Sequence, residues 1–379
     1  MDVLVLHGTS YTPQQLLDGW VPPQAPAYVQ RVIQFCQQWL RGQDVFTLHT
    51  SGSTGEPKAI EITRQQMVLS AHWTGQALGL QPGDRALVCL AVDYIAGMMM
   101  FVRGFELGLH LTVVQPVSRP LASFPPDTRF DCTAMVPMQV QATLQGTPHE
   151  RALFAAMKGV LIGGAPLSLV LEEHLQQVAA PLYHTYGMTE TVSHIALRRL
   201  NGPQRSDCFT PFDDVQLGLD ARGCLSITAP VTRGETLVPN DLVDLLPDGS
   251  FRWLGRIDNV VNSGGVKVPI EKVERALEAW LMQYQQGLYA TRRFFVGALE
   301  HARLGQAVVA VLEDRAGSEA HAEAALLSTA LRTRRPPTLT PYETPQQVFF
   351  VPQFLETATG KVDRRAILHG LAPQAQALP

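Results

Sequence analysis

Short β-branched apolar runs alternate with longer segments of helical periodicity through the first two thirds of the 379-residue chain. This alternation is the pattern of a layered α/β domain. The runs ALVCL at 86–90 and HLTVVQP at 110–116 flank a helical stretch over 94–107, and the apolar runs at 132–137 and 159–164 follow as buried strands. Single cores stop growing near roughly 250 to 300 residues, so the chain has room for two or more domains.

The pattern changes after residue 193. Over 193–254 the strands become shorter and turns more frequent, which predicts antiparallel pairing. After residue 255 an amphipathic helix at 269–284 begins a second, smaller α+β unit, whose Pro-rich segment at 333–345 is predicted to be a surface connection. We therefore predict a large layered α/β domain over 1–256 and a small α+β domain over 257–379.

Composition and charge argue against several classes of partner. Lysine plus arginine (30) against aspartate plus glutamate (34) gives a net charge of -4, which favours neither a nucleic acid nor an anionic membrane. Five scattered cysteines contain no C-x-x-C pair, which argues against a disulfide framework and a zinc site. We expect no export signal, because the first residues have neither a basic n-region nor a small-residue cleavage site, and the longest apolar stretch, 97–105, is too short to span a bilayer. We predict a cytoplasmic protein.

The strongest local signal is TSGSTGEPK at 50–58, directly after the predicted strand VFTLH. Hydroxyl side chains, backbone N–H groups at glycines and a lysine can together surround anionic oxygens, so the segment is predicted to bind a triphosphate. It is not a Walker A sequence, because Lys58 follows Gly55 by three residues and no Ser or Thr comes next. A polar turn is the ordinary alternative. The remaining candidate residues of this loop are Thr50, Ser51, Gly52, Ser53 and Thr54.

TSGSTGEPK resembles the signature loop of the superfamily of acyl-CoA synthetases, nonribosomal adenylation domains and firefly-type luciferases, and further motifs of that superfamily follow in order. GGAP resembles its adenine-facing turn, although a strand that ends in Gly-Gly is more often only a turn. The residues of this turn are Gly163, Gly164, Ala165 and Pro166.

YHTYGMTET resembles the Y-G-x-T-E motif of the same superfamily. The resemblance implies that Tyr186 stacks on adenine, that Thr189 contacts the α-phosphate, and that Glu190 holds Mg²⁺. Magnesium suits this role because it prefers carboxylate and phosphate oxygens. Gly187 and Met188 complete this nucleotide-binding stretch.

Two later positions resemble the sugar-binding and hinge residues of the superfamily. The resemblance implies that Asp241 accepts hydrogen bonds from both ribose hydroxyls and that Arg256 supports the same sugar. The superfamily commonly has Thr-Gly before this aspartate, whereas the present chain has Pro239-Asn240. Asp258 matches the hinge about which a mobile small domain rotates between two half-reactions, although exposed loop aspartates are usually only turn formers.

The last motifs lie in the predicted small domain. NSGG at 262–265 resembles the loop of a thiol tunnel, in which Gly264 and Gly265 let a pantetheine arm pass close to the backbone. ATGKVDRR resembles the last motif of the superfamily, which implies that Lys361 swings in to bind the carboxylate and the α-phosphate. The resemblance thus implies a ligase that activates a small carboxylic acid with ATP and Mg²⁺ and passes the acyl group to coenzyme A.

Several features depart from the superfamily pattern. The signature loop begins at residue 50, earlier than in typical relatives, so we expect the first subdomain to be truncated. Tyr94 stands where many acyl-CoA synthetases have histidine. Arg103 lies in an apolar helical run and His194 follows Glu190 by four positions. They are either a snorkelling arginine and a core hydrogen bond, or counter-charges for an acid with a second carboxylate.

The compact form and the glycine pair in VVNSGG most resemble the o-succinylbenzoate:CoA ligases of menaquinone synthesis. Two alternatives stay open at this point. One is an aryl or amino acid adenylating enzyme that loads a carrier protein in trans, and the other is a nucleotide-binding module without catalysis. Lys361 and Glu190 argue against the module, because a non-catalytic copy is free to lose both.

Overall fold

A computed structural model describes the chain over residues 4–22, 24–50, 58–313, 320–356 and 362–375. The strands are β1 (Leu4–Leu6), β2 (Thr9–Tyr11), β3 (Val45–Thr50), β4 (Lys58–Thr63), β5 (Arg85–Val88), β6 (His110–Val113), β7 (Cys132–Met135), β8 (Gly159–Ile162), β9 (Leu182–Gly187), β10 (His194–Arg199), β11 (Thr210–Pro211), β12 (Gln216–Leu219), β13 (Leu225–Thr228), β14 (Thr236–Leu237), β15 (Asp241–Leu245), β16 (Phe251–Arg256), β17 (Val260–Ser263), β18 (Val266–Pro269), β19 (Phe294–His301), β20 (Gly305–Glu313) and β21 (Gln347–Val351). The α-helices are α1 (Pro13–Leu17), α2 (Ala27–Leu40), α3 (Arg64–Leu78), α4 (Ile95–Leu107), α5 (Pro137–Leu144), α6 (Pro148–Ala155), α7 (Leu169–Leu175), α8 (Ile270–Gln283), α9 (Ala320–Thr333) and α10 (Arg364–Ala375).

A nine-stranded sheet forms the centre of the larger part, in the order β11-β10-β9-β8-β7-β5-β6-β1-β2. The pairings from β1 through β6, β5, β7 and β8 to β9 are parallel, and antiparallel strands close both edges. Both faces are covered, since Ala86 and Val88 of β5 belong to one hydrophobic cluster and Leu87 to the other. Alternate side chains of a strand point to opposite faces, so this division is that of a layered α/β fold, as predicted.

From β11 to β16 the pairing is antiparallel, as the shorter strands over 193–254 predicted. β12, β13 and β14 form a three-stranded sheet, and β15 and β16 form a hairpin. Near the start of the chain, β3 and β4 pair antiparallel, with Thr50 opposite Lys58. Within the described ranges, no helix combines the length and the apolar character that a membrane span requires.

A separate five-stranded sheet is built from β18, β17, β20, β19 and β21. Its core takes buried leucines from α8 and α9, while α10 packs in a second cluster with β19. This is the predicted α+β arrangement. The division at residues 256 and 257, and the mobility of the second part, stay predictions.

The segment 333–345 connects α9 to β21, and most of its residues are exposed, as a surface connection predicts. Leu339, Glu343 and Thr344 are nevertheless buried. The Glu343 carboxylate accepts hydrogen bonds from the Lys272 ammonium of α8 and from the Thr340 backbone. These bonds hold the segment against the helix.

Candidate active site

The candidate nucleotide residues lie where two neighbouring parallel strands end. Gly163 to Pro166 follow β8, and Tyr186 lies near the end of β9, which pairs parallel with β8. Ligands of parallel α/β sheets bind outside the carboxyl ends of the strands, where loops converge. At Gly163 and Gly187 the surrounding atoms leave no room for a side chain. A Cβ on Gly163 would overlap the Thr185 hydroxyl, and one on Gly187 would overlap the Ser193 backbone carbonyl.

Tyr186 and Asp241 meet through a direct hydrogen bond. The Tyr186 hydroxyl donates to Asp241 Oδ2 at 2.7 Å, and the indole Nε1 of Trp253 donates to Oδ1 at 3.1 Å. Burial, followed by the adjacent Asp241 carboxylate, raises the pKa of Tyr186, so its hydroxyl stays a donor. Two donors therefore fix the plane of the Asp241 carboxylate, and each oxygen keeps a further acceptor site.

The hinge candidate Asp258 lies in the short 3-10 turn Ile257–Asn259 and is exposed. Arg256 Nη2 pairs with Asp258 Oδ2 at 2.7 Å, and the Asn240 amide donates to Oδ1 at 2.9 Å. These two donors lower the pKa of the Asp258 carboxyl. Asn240, which departs from the common Thr-Gly, thus supplies a contact to the hinge candidate.

The magnesium candidate Glu190 sits in the 3-10 turn Thr189–Thr191 after β9, together with Thr189. The turn is fixed by Thr191, whose buried hydroxyl accepts from Met188 N at 2.9 Å and lies 2.8 Å from the Ser193 carbonyl, to which it donates. Glu190 itself is only partly buried. A rigid turn therefore presents one carboxylate at the edge of the site, and one carboxylate with phosphate oxygens is a usual donor set for Mg²⁺.

Two predicted elements fall partly or wholly outside the described residues. These are Ser51, Gly52, Ser53, Thr54 and Gly55 of the signature loop, and Lys361. Thr50 ends β3 and Lys58 begins β4, so the described backbone gives only the two ends of the loop. The roles of these residues stay predictions.

The two glycines predicted to line a thiol tunnel connect β17 and β18. Both have positive φ, at 59° for Gly264 and 83° for Gly265. A Cβ on Gly264 would lie 2.7 Å from the Tyr342 ring, whereas Gly265 lines an open groove of about 650 Å³. A side chain at Gly264 would therefore displace Tyr342, and Gly265 lies beside space that a ligand could enter.

Arg103 of α4 is buried, with only 3% of its surface exposed. Its Nη2 donates to Ser193 Oγ at 3.1 Å and its Nη1 lies 3.6 Å from Met100 Sδ, while Nε has no hydrogen-bond partner among the described residues. Burial lowers the pKa of the guanidinium to about 10, so it remains charged at neutral pH. The snorkelling alternative is wrong. No carboxylate in the described part of the chain forms a hydrogen bond or ion pair with this cation.

The other two acid-pocket candidates differ from Arg103. His194 is buried and hydrogen-bonds Thr74 Oγ1 at 3.1 Å and Ser193 Oγ at 3.2 Å. Burial, with the nearby Arg103 charge, lowers the pKa of His194 well below its ordinary value, so the imidazole is neutral and offers hydrogen bonds rather than charge. Tyr94 precedes α4 and is 70% exposed.

A family profile described as AMP-binding enzyme matches residues 5–225. The chain belongs to the AMP-binding enzyme family. An acyl-CoA synthetase (AMP-forming)/AMP-acid ligase II-like protein from Dyadobacter fermentans is 42% identical, with 94% of this chain and 97% of that chain covered and a TM-score of 0.61. o-Succinylbenzoate CoA synthetase from Bacillus subtilis, solved with its acyl-adenylate intermediate, is 20% identical over 85% of this chain and 68% of that chain, with a TM-score of 0.64. At that identity the likeness concerns the fold alone.

Curated relatives of this AMP-binding enzyme are more distant. A 2-succinylbenzoate–CoA ligase from Geobacillus is 25% identical over 87% of this chain and 70% of that protein. Tyrocidine synthase 3 from Brevibacillus parabrevis is 24% identical over 85% of this chain but only 5% of that protein. The chain spans from 35% to 70% of the length of the succinylbenzoate ligases that it matches.

Sequence reasoning missed several polar residues around the site of this AMP-binding enzyme. Trp253 orients Asp241, Ser193 joins Arg103 to His194, and Glu172 forms a buried ion pair with Arg198 at 2.7 Å. Ser193 is next to His194 and Trp253 is three residues before Arg256, so both lay close to predicted positions. An indole donor in a hairpin and an ion pair between a helix and a strand leave no local pattern.

Proposed function

We propose that this AMP-binding enzyme is an ATP-dependent acid:thiol ligase that works through an acyl-adenylate. The observation that supports this best is the convergence of Tyr186, Asp241 and the Glu190 turn at the carboxyl ends of β8 and β9. An aromatic ring, a diol acceptor and a carboxylate that can hold a cation suit the base, the ribose and the phosphates of one nucleotide. The 42% identity to the Dyadobacter acyl-CoA synthetase-like protein supports the same class of reaction.

In the proposed first half-reaction, a carboxylate oxygen of the acid attacks the α-phosphorus of ATP and pyrophosphate leaves. Thr189 and Lys361 are proposed to contact the α-phosphate and the signature loop, with Lys58, to surround the other phosphates. Mg²⁺, held by Glu190, would neutralise phosphate charge. Catalysis is then positional and electrostatic, so no side-chain nucleophile is needed.

In the proposed second half-reaction, a thiol sulfur attacks the acyl carbonyl and AMP leaves. We assign the large domain to residues 1–256 and the small domain, which supplies Lys361 and the thiol tunnel, to residues 257–379. Asp258 is proposed as the hinge between them. We also propose that the protein acts in the cytoplasm and that its thiol substrate is coenzyme A.

We further propose that the acid is o-succinylbenzoate, a dicarboxylate with an aromatic ring. Relatives named 2-succinylbenzoate–CoA ligase support this acid, and so does the buried charge of Arg103. A buried cation without a carboxylate partner is costly, and a carboxylate of the substrate would offset much of that cost. Arg103 would bind the carboxylate that is not activated, while Ser193, which also hydrogen-bonds His194, helps to hold the guanidinium in place.

Purified enzyme incubated with ATP, Mg²⁺ and a panel of acids tests this function. We expect AMP release only when an acid and a thiol are both present, with o-succinylbenzoate as the best acid. Release with coenzyme A supports the acyl-CoA ligase, whereas release only with a carrier-bound pantetheine would favour the aryl or amino acid adenylating alternative. ATP binding without AMP release on any acid would favour a non-catalytic module.

A further inference from the structure

A buried ionic cluster joins the two parts of the molecule outside the proposed reaction centre. It consists of Glu172 of α7, Arg198 of β10 and Arg275 of α8, and we call it the Glu172 cluster. Arg198 Nη2 lies 2.7 Å from Glu172 Oε1, and the two terminal nitrogens of Arg275 lie 3.3 and 3.4 Å from the two carboxylate oxygens. The side chains of Glu172 and Arg198 are 3% and 6% exposed, whereas that of Arg275 is 47% exposed. Arg275 therefore adds a second, outer cation to a pair that is already buried.

The Glu172 cluster reaches the strand next to the adenine-facing turn. Arg198 Nη2 lies 3.3 Å from His184 Nδ1, and in the pairing of β9 with β8 His184 lies opposite Ile162, the residue before that turn. His184 stands two positions before Tyr186 on β9. Burial, with the neighbouring Arg198 charge, lowers the pKa of His184 to about 4, so this imidazole is neutral under ordinary conditions. Side-chain contacts thus run from α8 to β9, and the pairing of β9 with β8 continues them to the residue before the turn proposed to meet the base.

Helix α8 contacts α7 at a second point. Glu278 lies about one turn after Arg275 on α8 and accepts a hydrogen bond from the Leu169 backbone N–H at 2.9 Å. Leu169 begins α7, the helix that carries Glu172. Two side chains from one face of α8 therefore hold both the start and the middle of α7.

We infer that Arg275 is a positioning residue, which docks α8 against α7 and through Glu172, Arg198 and His184 steadies the adenine-facing turn. The arrangement also permits release. When Arg275 withdraws, Glu172 keeps its ion pair with Arg198, so no buried carboxylate is left without a cation. The part of this inference that concerns nucleotide affinity rests on the proposed function, whereas the docking itself does not.

Amide hydrogen exchange tests the docking, because it reports local opening without any substrate. We compare Arg275→Gln with Lys272→Gln on the same helix. Lys272 also pairs with a buried carboxylate, that of Glu343, but this pair stays within the five-stranded part. In Arg275→Gln we expect exchange at 163–166 and 169–175 to rise roughly fivefold or more. Lys272→Gln should match the wild type there, and Arg275→Lys should fall between the two.

A calorimetric titration of ATP gives the second readout. We expect Arg275→Gln to weaken ATP binding about fivefold and Lys272→Gln to leave it unchanged. If the amide exchange rates at 169–175 in Arg275→Gln equal those of the wild type, the docking is overturned. Faster exchange at 169–175 with unchanged exchange at 163–166 and unchanged ATP affinity would overturn the positioning role. A wild-type protein that binds no ATP would overturn the proposed function and the nucleotide part of the inference, and the exchange comparison would still decide the docking.

Discussion

Replacing Arg103 with methionine removes a buried charge and keeps an unbranched apolar side chain in its place. If the guanidinium binds the second carboxylate of the acid, the variant leaves that carboxylate buried without a cation. Breaking a buried pair in this way costs about 3–5 kcal/mol. At about 1.36 kcal/mol per tenfold change, kcat/KM for o-succinylbenzoate should fall by roughly 150- to 5,000-fold.

The matched substrate is 4-oxo-4-phenylbutanoate, which lacks the second carboxylate. Its kcat/KM should hold or rise in Arg103→Met, because the variant no longer buries a cation that has no carboxylate partner. Arg103→Lys keeps the charge but not the planar fork, so it should lose less activity on the dicarboxylate. AMP release at saturating ATP and coenzyme A measures both acids. A parallel loss on both acids, or no change on either, would refute Arg103 as the carboxylate anchor.

Three further substitutions test the proposed nucleotide residues. Lys361→Ala should lower adenylate formation by about a thousandfold while thioester formation from a supplied acyl-adenylate changes much less; equal losses in both half-reactions would contradict a role confined to the first. Glu190→Gln should raise the Mg²⁺ concentration needed for half-maximal rate, and an unchanged magnesium titration would remove Glu190 from the site. Trp253→Phe removes the indole donor to Asp241, so ATP binding should weaken about fivefold while binding of 2′,3′-dideoxy-ATP stays constant. Equal weakening for both nucleotides would argue against orientation of the ribose acceptor.

The elements that follow local patterns were predicted well. Helix α4 was predicted over 94–107 and runs Ile95–Leu107, where Gly108 ends it in the left-handed conformation. The strands of the large sheet could be predicted in the same way, because β-branched apolar runs bounded by turn residues are a local signal. The ends of these strands carry two of the motifs to one edge of the sheet. The family resemblance implied that Tyr186 and Asp241 meet the same nucleotide, whereas their direct hydrogen bond was not predicted.

What could not be predicted depends on contacts between distant positions. Glu172 meets Arg198 across 26 residues and Arg275 across 103, and no periodicity marks such pairs. Arg103 illustrates the same limit, since an arginine in an apolar helix fits both a surface and a buried position until the neighbouring strand is placed. The segment at 333–345 is largely exposed, as its prolines and threonines predicted, but its attachment to α8 through Glu343 and Lys272 was not predictable from the local sequence.

Acid-dependent exchange of labelled pyrophosphate into ATP, without any thiol, tests the proposed adenylate most directly. The exchange requires reversible formation of the acyl-adenylate and nothing from the second half-reaction. We predict exchange that appears only when o-succinylbenzoate or another accepted acid is added, that depends on Mg²⁺, and that falls about a thousandfold in Lys361→Ala. Thioester formation from ATP, acid and coenzyme A without any acid-dependent exchange would contradict an adenylate intermediate.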